Sequence, residues 1–453
     1  LLIDIAKNPQ HYRRMKKFLL ASALLLAMPA QAHDHAQALP LRAQATVVNE
    51  LLADRFDHLL PDMMAQTGID MWVLVSREYN EDPVLKTMLP AEWLNARRRT
   101  ILVFYRNTGS GSGKVERLAV TRYDVGSIKP SWDKKKFPNQ WDALVDIIKT
   151  RNPHKIGINT SATFGHADGI DHTDYAELLA ALPAPLQSRV VSAEPLAVRW
   201  LETRSEREMQ IYPQLVNATH KIIEEGFSER VITPGITTTE DVVWWFRQKI
   251  RDLGYDTWFH PSVEIQRQDN QRANPDVIIP GDLLHVDIGI TYLRLNTDIQ
   301  QHLYLLKPGE TAAPAALSKA FAGANRVQDI LLTQFQSGRS GNTMLAAALK
   351  QAKAEGLRPT IYSHPIGYHG HAAGPAIGMW DAQNGVPGSG DELLRPRTAY
   401  SIELSNTADI PGWREPVNIM LEEDAYFDAS GIRYINGRQK QLLLLPRPAQ
   451  SIE

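Results

Sequence analysis

Two kinds of apolar spacing divide the chain, and the change falls near residue 200. Over Val47–Gln66, the residues Val47, Leu51, Leu52, Phe56, Leu59, Leu60 and Met63 recur at helical intervals and predict an amphipathic helix. MWVLV (71–75) and TILVFY (100–105) are short continuous apolar runs, the pattern of strands buried on both faces. RLAVTRY (117–123) reads as a third strand, after the glycine- and serine-rich loop NTGSGSGK (107–114). A helix near 140–150, a strand at KIGIN (155–159) and a helix near 173–182 follow. Strands alternating with helices predict an α/β domain that ends near residue 200.

The remainder reads differently. TRSEREMQIYPQLVNATHKIIEEGFSER (203–230) opens a helix capped by Thr203 or Ser205, and Thr238 or Thr239 caps a second amphipathic helix before Tyr255. Strands and hairpins are expected at 283–306 and 399–428, with helices near 312–336 and 342–355 between them. This half predicts an α+β fold with helices packed on one side of mixed sheets.

Residues 15–32, MKKFLLASALLLAMPAQA, change the boundaries of what folds. Met15, Lys16 and Lys17 precede a short apolar run, and Ala30-Gln31-Ala32 forms an A-x-A cleavage site. This is the pattern of a secretory signal peptide, with cleavage after Ala32 and a periplasmic or secreted mature chain starting near His33. Residues 1–14 read as a non-native upstream extension, 33–202 as the α/β domain and 203–453 as the α+β domain. The apolar run is too short to span a bilayer comfortably, and no later stretch is long and apolar enough to do so.

Charge and cysteine content narrow the chemistry. With 49 Lys+Arg against 51 Asp+Glu, no basic surplus points to nucleic acid. Arg97-Arg98-Arg99 and Lys134-Lys135-Lys136 are local clusters, each expected to be a solvated face. The chain has no cysteine, which excludes disulfides, thiolate metal sites and cysteine nucleophiles. A bound metal would be held by oxygen and imidazole nitrogen, which favours Mn, Zn, Co or Fe.

The acidic residues of the two hairpins supply such a donor set. In LLHVDIGITYLRLNTDIQQHLYLL (283–306), a hairpin centred between Tyr292 and Leu293 sets Asp287 opposite Asp298. Facing like charges in apolar strands are costly unless a cation lies between them. In YSIELSNTADIPGWREPVNIMLEEDAYF (400–427), Pro411-Gly412 is a type II turn signal. A hairpin centred between Gly412 and Trp413 sets Glu403 opposite Glu422. Glu423 is the alternative, and since adjacent strand residues face opposite ways, only one of the two enters the site. Four inward carboxylates plus one histidine suit two divalent ions sharing bridging ligands, and a hydroxide held between ions about 3.5–4 Å apart is a strong nucleophile near neutral pH. The stretch SHPIGYHGHAAG (363–374) offers His364, His369 and His371 as metal ligands, proton carriers or surface residues.

Asp287, then Asp298, then the histidine of SHPIG, then Glu403, then Glu422 within LEED resembles the pita-bread metallopeptidases. That is the family of aminopeptidase P, prolidase, methionine aminopeptidase and creatinase. GDLLHVDIGITY (281–292) and LNTDI resemble its sequence motifs, and the preceding α/β domain resembles its aminopeptidase P, prolidase and creatinase branch. The resemblance implies an α/β N-terminal domain followed by an α+β pita-bread catalytic domain. It further implies a dinuclear enzyme in which a metal-bridging hydroxide hydrolyses the Xaa-Pro bond at peptide N-termini. In that scheme Asp287 binds one metal, Asp298 and Glu422 bridge both, and His364 and Glu403 bind the second. Glu403 also shuttles a proton, His371 contacts substrate and stabilises the tetrahedral intermediate, and His369 is an exposed or backbone-bonded bystander. The cofactor would be two divalent ions, Mn2+ before Zn2+ or Co2+, the substrate a small peptide with proline second, and the assembly a homodimer.

The chain also departs from the family pattern. Asn270 stands where the resemblance places a histidine, with His260 too far upstream to replace it, and Met420 stands where an arginine is common. WDAQNGVPGSGDELLRP (380–396) reads as an insertion at the cleft rim, and Trp258, Trp380 and Trp413 are candidates to line the cleft. Other readings are an Xaa-Pro dipeptidase or another C–N hydrolase on the same fold, and a non-catalytic pita-bread binding protein.

Overall fold

Successive residues of the first strand serve two different cores. The computed structural model describes residues 37–107, 113–268 and 274–447. The signal segment 15–32, the extension 1–14, Asn270 and part of the 107–114 loop lie outside the described residues. Helices α1 (Leu41–His58) and α2 (Leu60–Thr67) precede β1 (Met71–Arg77). They replace the single helix expected over 47–66, because Pro61 closes the helical ladder at Leu59 and restarts it as a first-turn residue. Then come α3 (Pro83–Met88), β2 (Arg99–Arg106), β3 (Val115–Ala119), β4 (Lys129–Pro130), α4 (Gln140–Arg151) and β5 (Ile156–Ile158). Helices α5 (His172–Ala181) and α6 (Ala184–Gln187), β6 (Val190–Ser192) and α7 (Glu194–Glu202) follow. The strands form one sheet in the order β4-β3-β2-β1-β5-β6. Only β2 runs against the others. Trp72, Leu74, Leu102 and Phe104 pack on Phe56 and Trp200 on one face. Val73, Val75, Ile101 and Val103 pack on Trp141, Leu144 and Ile148 on the other. Burial on both faces is why β1 and β2 read as unbroken apolar runs.

Helix α8 (Glu206–Gly226) begins at Ser205, whose side chain and Glu208 form a capping box. Thr238 and Asp241 do the same for α9 (Thr239–Asp252). The strands β7 (Ser262–Gln266), β8 (Leu283–Ile288), β9 (Thr291–Tyr292), β10 (Leu295–Asn296) and β11 (Ile299–Leu305) come next. Helices α10 (Ala315–Leu332) and α11 (Gly341–Ala354) lead to β12 (Pro359–Ile361), β13 (His364–Ile366), β14 (Thr398–Ser401) and β15 (Leu404–Ala408). The chain ends in β16 (Val417–Leu421), β17 (Asp424–Asp428), β18 (Gly431–Tyr434) and β19 (Leu443–Leu445). Among the described residues the strands of this half form the two-stranded ribbon β10-β9 and three larger sheets, ordered β19-β11-β8-β7, β12-β15-β16 and β13-β14-β17-β18. Tyr212, Ile222, Phe246 and Ile250 of α8 and α9 pack on Val286, Ile288, Ile299 and Leu303. Helices α10 and α11 cover the other sheets, with Phe321 against Ile419 and Leu421 and with Leu345 and Leu349 in one cluster with Tyr400 and Leu404.

A buried ion pair joins the two halves of the sequence. Arg55 of α1 donates to Glu208 of α8 at 2.9 Å and to the Thr203 carbonyl at 2.7 Å, with both charged side chains fully buried. Arg204 lies 3.7 Å from the same carboxylate. Removing one partner of a buried pair strands the other charge, so Arg55→Ala is expected to cost about 3–5 kcal/mol of stability. Chemical denaturation measures this, and a loss under about 1 kcal/mol would show that Arg204 alone suffices.

Candidate metal centre

The site forms where the two carboxylate hairpins meet. β15 and β16 pair with Leu404 opposite Leu421, and the same register resumes with Ser401 opposite Asp424 in β14 and β17. Glu403 and Glu422 sit in the break between these ladders, in the register expected from the Pro411-Gly412 turn. The β8–β11 pair corrects the other expectation. Gln300, not Asp298, lies opposite Asp287, and the tip pairs Tyr292 with Leu295. The turn is therefore centred one residue later, between Leu293 and Arg294, which both adopt left-handed backbone (φ 52° and 68°). Asp298 stands between β10 and β11, two residues before Gln300, and keeps the same face. An antiparallel bridge between Gln300 and Glu422 then ties one hairpin to the other.

Three sets of ligand atoms converge, each within 4.8 Å: Asp287, Asp298 and Glu422; His364, Glu403 and Glu422; and Asp298, His364 and His371. The first two share Glu422, as two adjacent cation positions with a common carboxylate would. The His364 Nε2 atom is 3.7 Å from Asp298, 3.7 Å from Glu403 and 3.8 Å from Glu422. Its Nδ1–H donates to the Pro365 carbonyl at 3.0 Å, which leaves Nε2 bearing a lone pair that faces carboxylates. That Nε2 and Asp287 Oδ1 are buried without a hydrogen-bond partner. Lone pairs aimed at one another in a buried site are repulsive, and divalent cations reverse the sign, so this donor set fits two such ions.

Electrostatics agree. Burial, then the charge of Glu264, pushes Asp287 up to about 7. Burial, then Asp287, pushes Glu422 up to about 8. Asp298 and Glu403 are raised well above the carboxylate range by burial and by the neighbouring acids. Burial lowers His364 to about 3, so its imidazole is neutral.

Neutral donors steady the carboxylates. Gln300 Nε2 donates to Glu403 at 2.8 Å and Glu422 at 2.7 Å, and its carbonyl accepts from His285 Nε2 at 2.9 Å. The Ser401 hydroxyl bonds Glu422, and the Trp380 indole bonds Glu403. None of Gln300, His285 and Ser401 was singled out from sequence. Glu423 faces away, bonded to His220 at 2.7 Å and Gln301 at 3.0 Å. His371 is exposed in the cleft, its ring 4.7 Å from that of His364 and 5.2 Å from Trp258. Of the two expectations for His369, exposure is corrected and backbone bonding is seen: its ring is partly buried 4.2 Å from that of His166 in the N-terminal half, and its carbonyl accepts from the Gly367 N–H at 3.0 Å. His260 accepts from Arg247 at 3.3 Å on the surface. Met420 offers its backbone N–H to His302 at 3.0 Å. Trp413 packs at the hairpin tip against the cluster around Ile410 and Val417, away from the other two tryptophans.

Protons and cations compete for these carboxylates. A folded-state pKa raised above its unfolded value near 4 gives stability that is present below 4 and lost as pH rises through about 7 for Asp287 and about 8 for Glu422. The gain in melting temperature on adding Mn2+ is therefore expected to be small at pH 5 and to grow to pH 8. A gain independent of pH, read by thermal shift with and without chelator, would contradict this site.

Residues 214–436 match the family model described as Metallopeptidase family M24, which takes in all six converging residues. No curated protein sequence matches significantly. Among solved structures, the chain is similar to an X-Pro aminopeptidase from Thermotoga maritima MSB8 (15% identity, TM-score 0.60, 85% of this chain and 100% of that one). It is also similar to an Xaa-Pro dipeptidase from Bacillus anthracis (16%, 0.55, 88% and 100%) and to the prolidase from Pyrococcus furiosus (13%, 0.54, 84% and 100%). At these identities the likeness is one of fold. Residues 214–436 are thus a metallopeptidase family M24 segment with the pita-bread fold, and they carry residue groups able to hold the metal on which that family depends.

Proposed function

We propose that the protein is an Xaa-Pro aminopeptidase that hydrolyses the bond between an N-terminal residue and a following proline. The observation that carries the reading is the pair of donor sets sharing Glu422, with the lone pair of His364 aimed into them. Asp287 would hold one ion, Asp298 and Glu422 both, and His364 and Glu403 the second. Four carboxylates with a single imidazole make an oxygen-rich set, which favours Mn2+ over Zn2+ or Co2+. Bound there, two divalent ions supply an activated water and polarise the scissile carbonyl.

The protein's own groups do the rest. Glu403, bonded by Gln300 and Trp380, takes and returns the proton. His371 stands at the exposed edge of the cleft, beside Trp258 and Tyr362, where it can donate to the developing oxyanion.

Asp298→Asn is expected to lower turnover of an Xaa-Pro-Xaa tripeptide at least about a thousandfold. Its melting temperature without metal should be unchanged or raised, since one buried charge is gone, and its metal content should fall below the wild-type two ions per chain by elemental mass spectrometry. Retained turnover would remove the site, and cleavage confined to Xaa-Pro dipeptides would favour the dipeptidase.

We also propose that the protein is exported, on the strength of Lys16-Lys17, the apolar run after them and Ala30-Gln31-Ala32. No described helix is long and apolar enough to cross a membrane. Intact-mass analysis of protein recovered from cells should find a chain beginning at His33, and a chain retaining residues 15–32 would rule the cleavage out.

A further inference from the structure

The N-terminal sheet carries a second concave site, remote in sequence from the carboxylate centre. A cavity of about 560 Å³ is lined by Arg77, Arg97, Arg98, Arg99 and Arg122, by the rings of Tyr123 and Trp132, and by Thr121 and Gln140. No acidic residue is in that lining.

The topology places it where open α/β sheets bind ligands. β1, β3 and β4 run the same way, since each of β1 and β3 is antiparallel to β2 and β4 is parallel to β3. Arg77 is the last residue of β1 and lies opposite Arg99 at the start of β2. Thr121, Arg122 and Tyr123 follow the end of β3, and Trp132 follows β4. The cavity thus lies beyond the carboxyl ends of three strands, the usual ligand end of such sheets. Gln140, the first residue of α4, adds a helix N-terminus to the same wall.

The charges separate into a scaffold and a surplus. Arg77 bonds Asp174 at 2.9 Å and Asp171 at 3.0 Å. Arg99 bonds Asp174 at 3.0 Å and Glu177 at 2.8 Å. These two are neutralised and hold the floor. Arg97 stacks on Trp93 at 4.1 Å and also faces Tyr123 at 5.6 Å, and Arg122 faces Trp132 at 5.9 Å. Among the described residues, no ion pair is formed by the guanidinium groups of Arg97, Arg98 and Arg122, all three exposed; the Arg98 backbone N–H donates to the Glu78 carboxylate at 3.3 Å, which places one acid beside the hollow. A flat solvated face, the expectation for Arg97-Arg98-Arg99, would disperse such charges. Here three unpaired guanidinium groups border one hollow with half-buried aromatic rings in its wall. The Lys134-Lys136 cluster contrasts with it, lying fully exposed with Lys136 paired to Asp146 at 3.4 Å.

We propose that this cavity binds a small phosphorylated molecule with a planar ring, of the mononucleotide class. Guanidinium groups bind phosphate oxygens in paired hydrogen bonds, and Arg97 and Arg122, turning from the Tyr123 and Trp132 rings to a phosphate, would leave those rings to a planar base. The volume falls within the range of about 300–1,000 Å³ typical of small-molecule pockets.

Calorimetric titration of the metal-loaded full chain with AMP, inorganic phosphate and adenosine, at low ionic strength, tests the proposal. AMP is expected to bind at least about tenfold more tightly than either fragment. The double variant Arg98→Glu/Arg122→Glu should weaken AMP about tenfold or more, with peptidase activity unchanged. Arg98→Ala and Arg122→Ala singly should give intermediate losses, which separates lost binding from misfolding. Equal affinity for AMP and phosphate would overturn the mononucleotide class. AMP binding that survives in the double variant would place it elsewhere, the carboxylate centre included, and would overturn the site, as would no binding of AMP below millimolar concentration.

Discussion

Four carboxylates buried within reach of one another cannot all be ionised unless positive charge is brought to them, and the catalytic half is built around that constraint. Among the described residues, none of Asp287, Asp298, Glu403 and Glu422 pairs with a lysine or arginine, and the imidazole that faces three of them, His364, is kept neutral by burial. The groups that do bond them, Gln300, Ser401 and Trp380, are neutral donors. Such donors fix the direction of each carboxylate without cancelling its charge. The charge that remains is what a pair of divalent ions would neutralise.

The sheets follow from this. Three of the acids stand at breaks between ladders, whereas Asp287 lies within β8, paired with Gln300 on one side and Ser262 on the other. Glu403 and Glu422 occupy the gap between two ladders of one continuous register, and Asp298 occupies the gap between β10 and β11. The gaps are bridged, since Gln300 and Glu422 exchange backbone hydrogen bonds at 3.1 and 3.3 Å. At these three acids strand pairing is interrupted and restored immediately afterwards, while Asp287 and His364 stay within paired strands.

Much of this was legible in the sequence because hairpin register is local. Pro411-Gly412 marks its turn plainly, with Gly412 left-handed at φ 83°, so the Glu403–Glu422 opposition follows from counting. The Leu293-Arg294 turn carries no glycine, asparagine or aspartate, although both residues are left-handed. Nothing in their chemistry marks the centre, and the count was displaced by one position. The face survived the error because a register shift of two residues preserves side-chain parity. What counting could not reach is contact between distant segments. Gln300 matters because His285, Glu403 and Glu422 surround it, and His369 is drawn in by His166, about two hundred residues earlier. A glutamine in a strand and a histidine beside a glycine have no local signature for those roles.

The histidine loop shows how the two halves of the chain depend on each other. Its β13 end is held by the ladder with β14, which fixes His364. Its far end is held by side chains from elsewhere: Tyr368 lies 5.0 Å from the Arg55 guanidinium and 4.9 Å from that of Arg204. Gly367 and Gly370 permit this packing. A Cβ on Gly367 would lie 2.7 Å from the Arg204 guanidinium carbon, and one on Gly370 would lie 2.3 Å from the Trp258 ring. The same Arg55 satisfies Glu208, so the ion pair that joins α1 to α8 also forms the platform for the loop carrying His369 and His371. The turn of the first hairpin is anchored in the same direction, with Arg294 donating to the carbonyls of Thr87 and Leu89 at 3.0 and 2.8 Å. Both approaches to the carboxylate centre are therefore braced against the N-terminal half. A change in the α1–α8 contact would act on the loop that carries His371 without touching any of the four carboxylates of the centre.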